Sequence, residues 1–169
     1  IGAEIDERQG RVIAFVPSKD GMWRLPAGAD AVPPLFLTLL VAVEDHRFHH
    51  HRGVDPLAIV RAASQWARAG RVVSGGSTLT MQVARLLERR PRTLRAKVVE
   101  AFRAVQLEAR FSKREILGMW LTLAPFGGNL EGVRAASYAW FGHGPSSLTP
   151  CEAALLVSLP RRPEAFRPD

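Results

Sequence analysis

From Pro33 onward the chain is punctuated by helix starts, and these marks restrict its fold more than any other feature. Asp55 before Pro56 pairs an N-cap with a proline at the first helical position, opening a helix to about Arg68. Ser112 with Glu115 precedes Ile116, Leu117 and Trp120, and Thr149-Pro150-Cys151-Glu152 precedes Ala153 to Leu159; each string is a capping box. Leu94, Val98, Ala101, Phe102 and Val105 predict a helix from Thr93 to Phe111, and Leu130 to Phe141 predicts another that stops at Gly142. Val12 to Val16, between the turn signals Gln9-Gly10 and Lys19-Asp20-Gly21, reads as strand. The expected fold is mainly α, a single compact domain over 1–169 with a short N-terminal β element.

Its 169 residues suffice to bury roughly 70% of the unfolded surface, so no staple is needed. The lone Cys151 excludes an internal disulfide and reads as a small helix residue. Lysine and arginine total 23 against 16 acids, a net charge of +7, and only Lys19, Lys97 and Lys113 are lysines. Arginine's planar fork suits phosphate and carboxylate, so an anionic partner is expected: nucleic acid, an anionic membrane surface or a phosphorylated substrate. High-GC codon usage explains the arginine-to-lysine ratio equally well. The most apolar stretch, Leu35 to Val43, is far short of the ~20 residues that span a bilayer. The expectation is a soluble or peripheral chain from which a targeting or anchoring segment has been removed.

Phe36, Leu39, Leu40 and Val43 line one helix face, and Glu44 follows directly. An acid where a buried helix stops is either an ion-pair partner, here of Arg47 or Arg52, or a carboxylate facing a cleft and suited to proton transfer. Val73-Ser74-Gly75-Gly76-Ser77-Thr78 brings two glycines to a hydroxyl-rich helix start at about Ser77, where free amides can bind an anion or Ser77 can simply cap. Arg85, Arg89, Arg90, Arg92, Arg95 and Lys97 lead into Glu100 on an otherwise apolar helix, where the plain alternative is a salt bridge to Lys97 or Arg103. His46 and His50 share the i, i+4 spacing of a metal pair, but zinc sites usually need three or four ligands and no cysteine partner is at hand, so zinc is the less favoured reading; His51 is expected to fix the loop after Phe48.

Taken together these segments resemble the peptidoglycan glycosyltransferase family, from about residue 4 to the end. Glu44-Asp45-His46-Arg47-Phe48-His49-His50-His51-Arg52-Gly53 is similar to the family's first motif and Gly75-Gly76-Ser77-Thr78-Leu79-Thr80-Met81-Gln82 to its second. Lys97-Val98-Val99-Glu100 resembles the third, and Ser112-Lys113-Arg114-Glu115-Ile116-Leu117 the fourth. The chain departs from the pattern at His46 and Ala96, where the family has arginine, and at Gly118, Trp120 and Thr122.

The resemblance implies a lysozyme-like helical lobe and a smaller membrane-facing jaw, which residues 57–73 would supply as a basic amphipathic segment. It implies polymerisation of lipid II by inverting β-1,4 transfer, with Glu44 as general base and Glu100 holding the donor site, through cations or a divalent ion (Mg2+ or Mn2+) near Glu100. No organic cofactor is implied. Asp45, Arg47, Phe48, His51, Arg61, Gly76, Ser77, Thr78, Gln82, Arg85, Arg92 and Lys97 match the family's substrate-binding or site-ordering positions. The implied partners are lipid II, the growing glycan strand, the membrane surface at the periplasmic face of the inner membrane, and a transpeptidase domain in the same full-length chain. Nucleic acid would explain the charge but neither the acids nor the glycine loop. The rival readings are a lysozyme-like hydrolase or lytic transglycosylase, and a non-catalytic membrane-surface module.

Overall fold

A computed structural model describes residues 1–6, 12–70, 76–91 and 93–161. Among the described residues there are four strands, β1 (Ala3–Asp6), β2 (Val12–Val16), β3 (Trp23–Arg24) and β4 (Leu130–Glu131). The helices are α1 (Pro34–Glu44), α2 (Pro56–Ala69), α3 (Leu79–Leu87), α4 (Leu94–Glu108), α5 (Lys113–Leu123), α6 (Val133–Phe141) and α7 (Pro150–Ser158). The fold is mainly helical with a short N-terminal β element, as expected. It divides into two compact units, one of residues Ile1–Leu40 with Leu117–Asp169 and one of Val41–Ile116.

In the first unit, β1 and β2 form an antiparallel hairpin with Ala3 opposite Val16 and an irregularity between Ile5 and Asp6. The core is built on Leu25, Phe36, Leu40, Trp120, Leu121, Phe126, Val133, Leu156 and Leu159, each nearly fully buried. Trp120 meets Phe126 edge to face at 6.4 Å between ring centroids. The capping box at Thr149 forms as expected, with both reciprocal hydrogen bonds to Glu152.

The helix predicted from Leu130 starts instead at Val133. Leu130 and Glu131 run parallel to Trp23 and Arg24, and the buried Glu131 accepts a 2.6 Å bond from Arg24 Nε. Gly132 then turns with φ +86°, where an added Cβ would lie 2.6 Å from the Thr122 carbonyl oxygen. The end at Gly142 is as predicted: it adopts the left-handed conformation and its amide returns to Tyr138.

In the second unit α3 packs on α4. The apolar spacing that predicts α4 marks the element correctly but not its buried side. Leu94, Val98, Phe102 and Val105 are exposed, at 88%, 69%, 62% and 47%, while Ala96, Glu100 and Ala104 are buried. The small Ala104 permits close approach, for the backbone of Gly53 (φ +91°) passes so near that a Cβ there would meet the Ala104 carbonyl at 2.6 Å. Helix α2 begins as predicted, with Asp55 Oδ1 accepting the Leu57 amide at 3.0 Å. None of its described side chains is buried.

Candidate active site

Every candidate residue belongs to the second unit. Glu44 is the last residue of α1 and half-buried. Its Oε2 accepts a 2.8 Å hydrogen bond from Gln82 Nε2, so the second sequence segment supplies it with a positioned donor.

Asp45 is buried and turns to the same helix one turn earlier. Its Oδ2 accepts the amide of Leu79 at 2.9 Å, and both its oxygens lie 3.0–3.1 Å from His51 Nε2. Arg47 Nε lies 3.3 Å from Asp55 Oδ2, on the carboxylate that caps α2. Phe48 is fully buried. The four residues Asp45, Arg47, Phe48 and His51, expected as substrate-binding or site-ordering, thus make their contacts with the protein itself.

Helix α3 starts one residue later than predicted, at Leu79 with Thr78 as its cap. Thr78 Oγ1 accepts the Met81 amide at 3.1 Å and donates to the Gly53 carbonyl at 2.5 Å, whereas the Ser77 hydroxyl receives the ammonium of Lys97. The amides expected to bind an external anion are partly taken from within, Leu79 by Asp45 and Met81 by Thr78. Gly76 is half-buried, and a Cβ there would lie 3.4 Å from Ile59 Cα, so the Gly76 backbone passes close to α2.

The Lys97 half of the expected salt bridge forms: Nζ lies 3.2 Å from Oε2 of the buried Glu100. Arg103 instead donates to Gln106 at 2.9 Å. Lys97 therefore joins the loop before α3 to α4, with its charge set between a hydroxyl and a carboxylate. Arg61 is exposed on α2 and Arg85 half-buried in the last turn of α3, and neither is drawn into the Glu44–Gln82 or Lys97–Glu100 groups. Arg92 and the Val73–Gly75 part of the glycine loop lie outside the described residues. Among the described residues no three or more His, Cys, Asp or Glu side chains converge as a metal-binding group; His46, His49 and His50 are exposed.

Lys113, to which the sequence motifs assign no site role, also belongs to this network. Lys113 Nζ donates to the His51 carbonyl at 2.8 Å and to Glu108 Oε1 at 2.6 Å, and lies 4.3 Å from the centroid of the Phe48 ring. The same Glu108 oxygen accepts the Thr80 hydroxyl of α3 at 2.6 Å. Its place beside Ser112 in the fourth segment was the only available signal.

A mainly helical domain with a helix-terminal glutamate, a donor helix and a lysine-bridged second glutamate has the makings of a glycosyl-transferring enzyme. The chain belongs to the transglycosylase family, whose sequence profile matches residues 9–169. It is 51% identical over 150 residues to penicillin-binding protein 1C of Escherichia coli K12, an alignment covering 89% of this chain and 20% of that protein. It is 39% identical to penicillin-binding protein 1A of Aquifex aeolicus, over 98% of the chain and 23% of the relative. Against penicillin-binding protein 1A of E. coli K12 the identity is 38%, over 99% and 20%. The chain spans about a fifth of the length of these curated relatives.

Proposed function

We propose that this domain is a peptidoglycan glycosyltransferase that extends glycan strands from lipid II. The observation that carries the reading is the Glu44 carboxylate at the end of α1, held by Gln82, in a chain of this family. A diphosphate-linked donor needs no acid to protonate its leaving group, which departs as a stable anion. What it needs is one base for the attacking hydroxyl and cations for the developing charge.

In this reading the Glu44 carboxylate takes the proton of the acceptor's 4-hydroxyl as that oxygen attacks the anomeric carbon of the donor. The bond from that carbon to the phosphate oxygen breaks, undecaprenyl diphosphate leaves, and the α-linked donor becomes a β-1,4-linked product. Lys97, oriented by Ser77 and Glu100, supplies positive charge for the diphosphate, with Arg85 and Arg92 as further candidates and Arg61 as the outermost.

A Mg2+ or Mn2+ ion fits this site poorly. Such an ion is held by one or two carboxylates plus phosphates, and the Lys97 ammonium already lies against Glu100.

The domain works on the bilayer that holds its lipid-linked substrate. Leu57, Ile59 and Val60 are exposed on α2 beside Arg61, and Leu94, Val98 and Phe102 on α4 beside Arg95. Apolar side chains rimmed by arginine suit an anionic lipid surface. Among the described residues no helix is long and apolar enough to cross a membrane. The setting that agrees with the relatives' names and greater length is the periplasmic face of the inner membrane, in a longer chain that also carries a transpeptidase.

Incubation of the full-length chain with lipid II, with product length read on a gel and moenomycin as inhibitor, tests the reading. Growing strands that moenomycin blocks support it. Shortening of finished glycan strands with no growth from lipid II would instead mark a lytic enzyme.

A further inference from the structure

Two consecutive carboxylates engage α3 one turn apart: Asp45 at the Leu79 amide, Glu44 at the Gln82 side chain. We infer that Asp45 and His51 form a positioning pair that never touches substrate and that holds Gln82 against Glu44 by fixing the seat of α3. The inference rests on the reading of Glu44 as base.

Burial sets the pair apart from binding residues. The Asp45 side chain is 5% exposed and that of His51 3%, so neither presents an atom to a sugar or a phosphate. Asp45 accepts from Leu79 and from His51 Nε2–H, which uses its oxygens inward. His51 Nδ1 is also buried and has no hydrogen-bond partner among the described residues. The ring's hydrogen bonding thus runs through Nε2, as a brace on Asp45, while its edge packs against Phe48 at 6.2 Å between ring centroids. The brace is itself anchored, because the His51 carbonyl accepts Lys113 Nζ at 2.8 Å.

The consequence for Glu44 follows from helix geometry. Leu79 and Gln82 are three residues apart and share a helix face. Slack at the Leu79 amide lets the first turn of α3 swing, and Gln82 Nε2 leaves the Glu44 oxygen. A displacement of about 1 Å at a positioned group costs up to roughly 10²-fold in rate.

The test is a set of variants of the full-length chain, His51→Leu, Asp45→Asn, Gln82→Leu and the double variant His51→Leu/Gln82→Leu, assayed on lipid II. Positioning predicts that His51→Leu and Asp45→Asn each lower kcat at least about tenfold while KM changes by less than about twofold. It also predicts that the double variant is no slower than Gln82→Leu alone, because both act through one contact. A raised KM at unchanged kcat, or losses that multiply, would overturn the inference. If His51→Leu does not fold, Asp45→Asn, whose single amide oxygen replaces two carboxylate oxygens shared between the Leu79 amide and His51 Nε2 and so loosens the seat of α3, carries the test through its own double variant with Gln82→Leu. A crystal structure of Asp45→Asn gives a readout independent of activity: Gln82 still bonded to Glu44 refutes positioning, and a lost bond supports it. An inactive wild-type chain would count against the proposed reaction and leave this structural arm in force.

Discussion

Gln82 donates its side-chain amide to Glu44 across 2.8 Å, so the carboxylate at the end of α1 is aimed by the helix that follows the glycine loop. If Glu44 is the base, Glu44→Gln removes its proton acceptor without changing its size. Polymerisation should fall by roughly 10²–10⁴-fold, the usual worth of a general base, with the melting temperature held. Gln82→Leu leaves the base but not its aim and should lose less. Chain growth at the wild-type rate by Glu44→Gln would end the assignment.

Lys97 bridges Ser77 and Glu100 with a side chain 40% exposed. Its contact with solvent tempers the electrostatic worth of the pair, so Lys97→Met should cost stability only modestly, about 1 kcal/mol. Binding of a diphosphate-lipid analogue should suffer more, by roughly tenfold, as expected for loss of a charge-assisted contact. Titration of the analogue into the variant measures this. An unchanged affinity would remove Lys97 from the donor site.

What the sequence made legible was local. Asp55, Ser112 and Thr149 mark helix starts because a cap satisfies amides within its own first turn, and Gly142 marks a stop because only its own backbone must turn. The strand at Leu130–Glu131 was hidden because its partner Arg24 lies 107 residues away. The apolar positions of α4 announced a helix yet lie outside, since Ala96 and Ala104 make the contact face and periodicity cannot say what a face meets. At the site, residue types pointed to Glu44 and Glu100. That Asp45 and His51 face inward, and that Lys113 ties loop to helix, depends on long-range packing.

Lys113 and Glu108 form an ion pair with side chains 24% and 7% exposed. Lys113→Met strands the Glu108 carboxylate and frees the His51 carbonyl, so the loss should be about 3 kcal/mol, near the low end for breaking a buried pair. Lys113→Met with Glu108→Leu should recover part of it, because no uncompensated charge remains. Urea unfolding of the single and double variants checks the pair, and a double variant less stable than Lys113→Met would contradict the account.

Four carboxyls, Asp20, Glu88, Glu115 and Glu152, hold their protons less tightly than carboxyls ordinarily do, Glu88 through the Arg90 guanidinium. The Ser18 hydroxyl, with Arg24 second, holds Asp20 at about 2, the Ser112 hydroxyl and amide lower Glu115, and the Thr149 amide and hydroxyl lower Glu152. A depressed carboxyl contributes stability above its unfolded value and loses it as pH falls through the folded one. Stability should therefore decline from about pH 4 downward, and Asp20→Asn should flatten the lowest part of that decline. His143, raised by the Gly144 carbonyl and Glu152, acts oppositely: its contribution is present below the ordinary histidine value of about 6.5 and is lost as pH rises through its raised folded value. Urea midpoints across pH, compared with those of Asp20→Asn and His143→Gln, resolve the two limbs.

Gly53 joins fold to site. Its φ of +91° disfavours any side chain, and a Cβ would lie 2.6 Å from the Ala104 carbonyl oxygen. Gly53→Ala must push the loop off α4, at a cost above about 1 kcal/mol. The same residue's carbonyl accepts the Thr78 hydroxyl that caps α3, so the shift is passed to the helix that carries Gln82. Activity should then fall by more than stability alone accounts for, measured at a temperature where the variant is still fully folded. In a variant with a lowered melting temperature but full kcat at that temperature, the loop would be moving without α3, and the link from Gly53 through Thr78 to Glu44 would be broken.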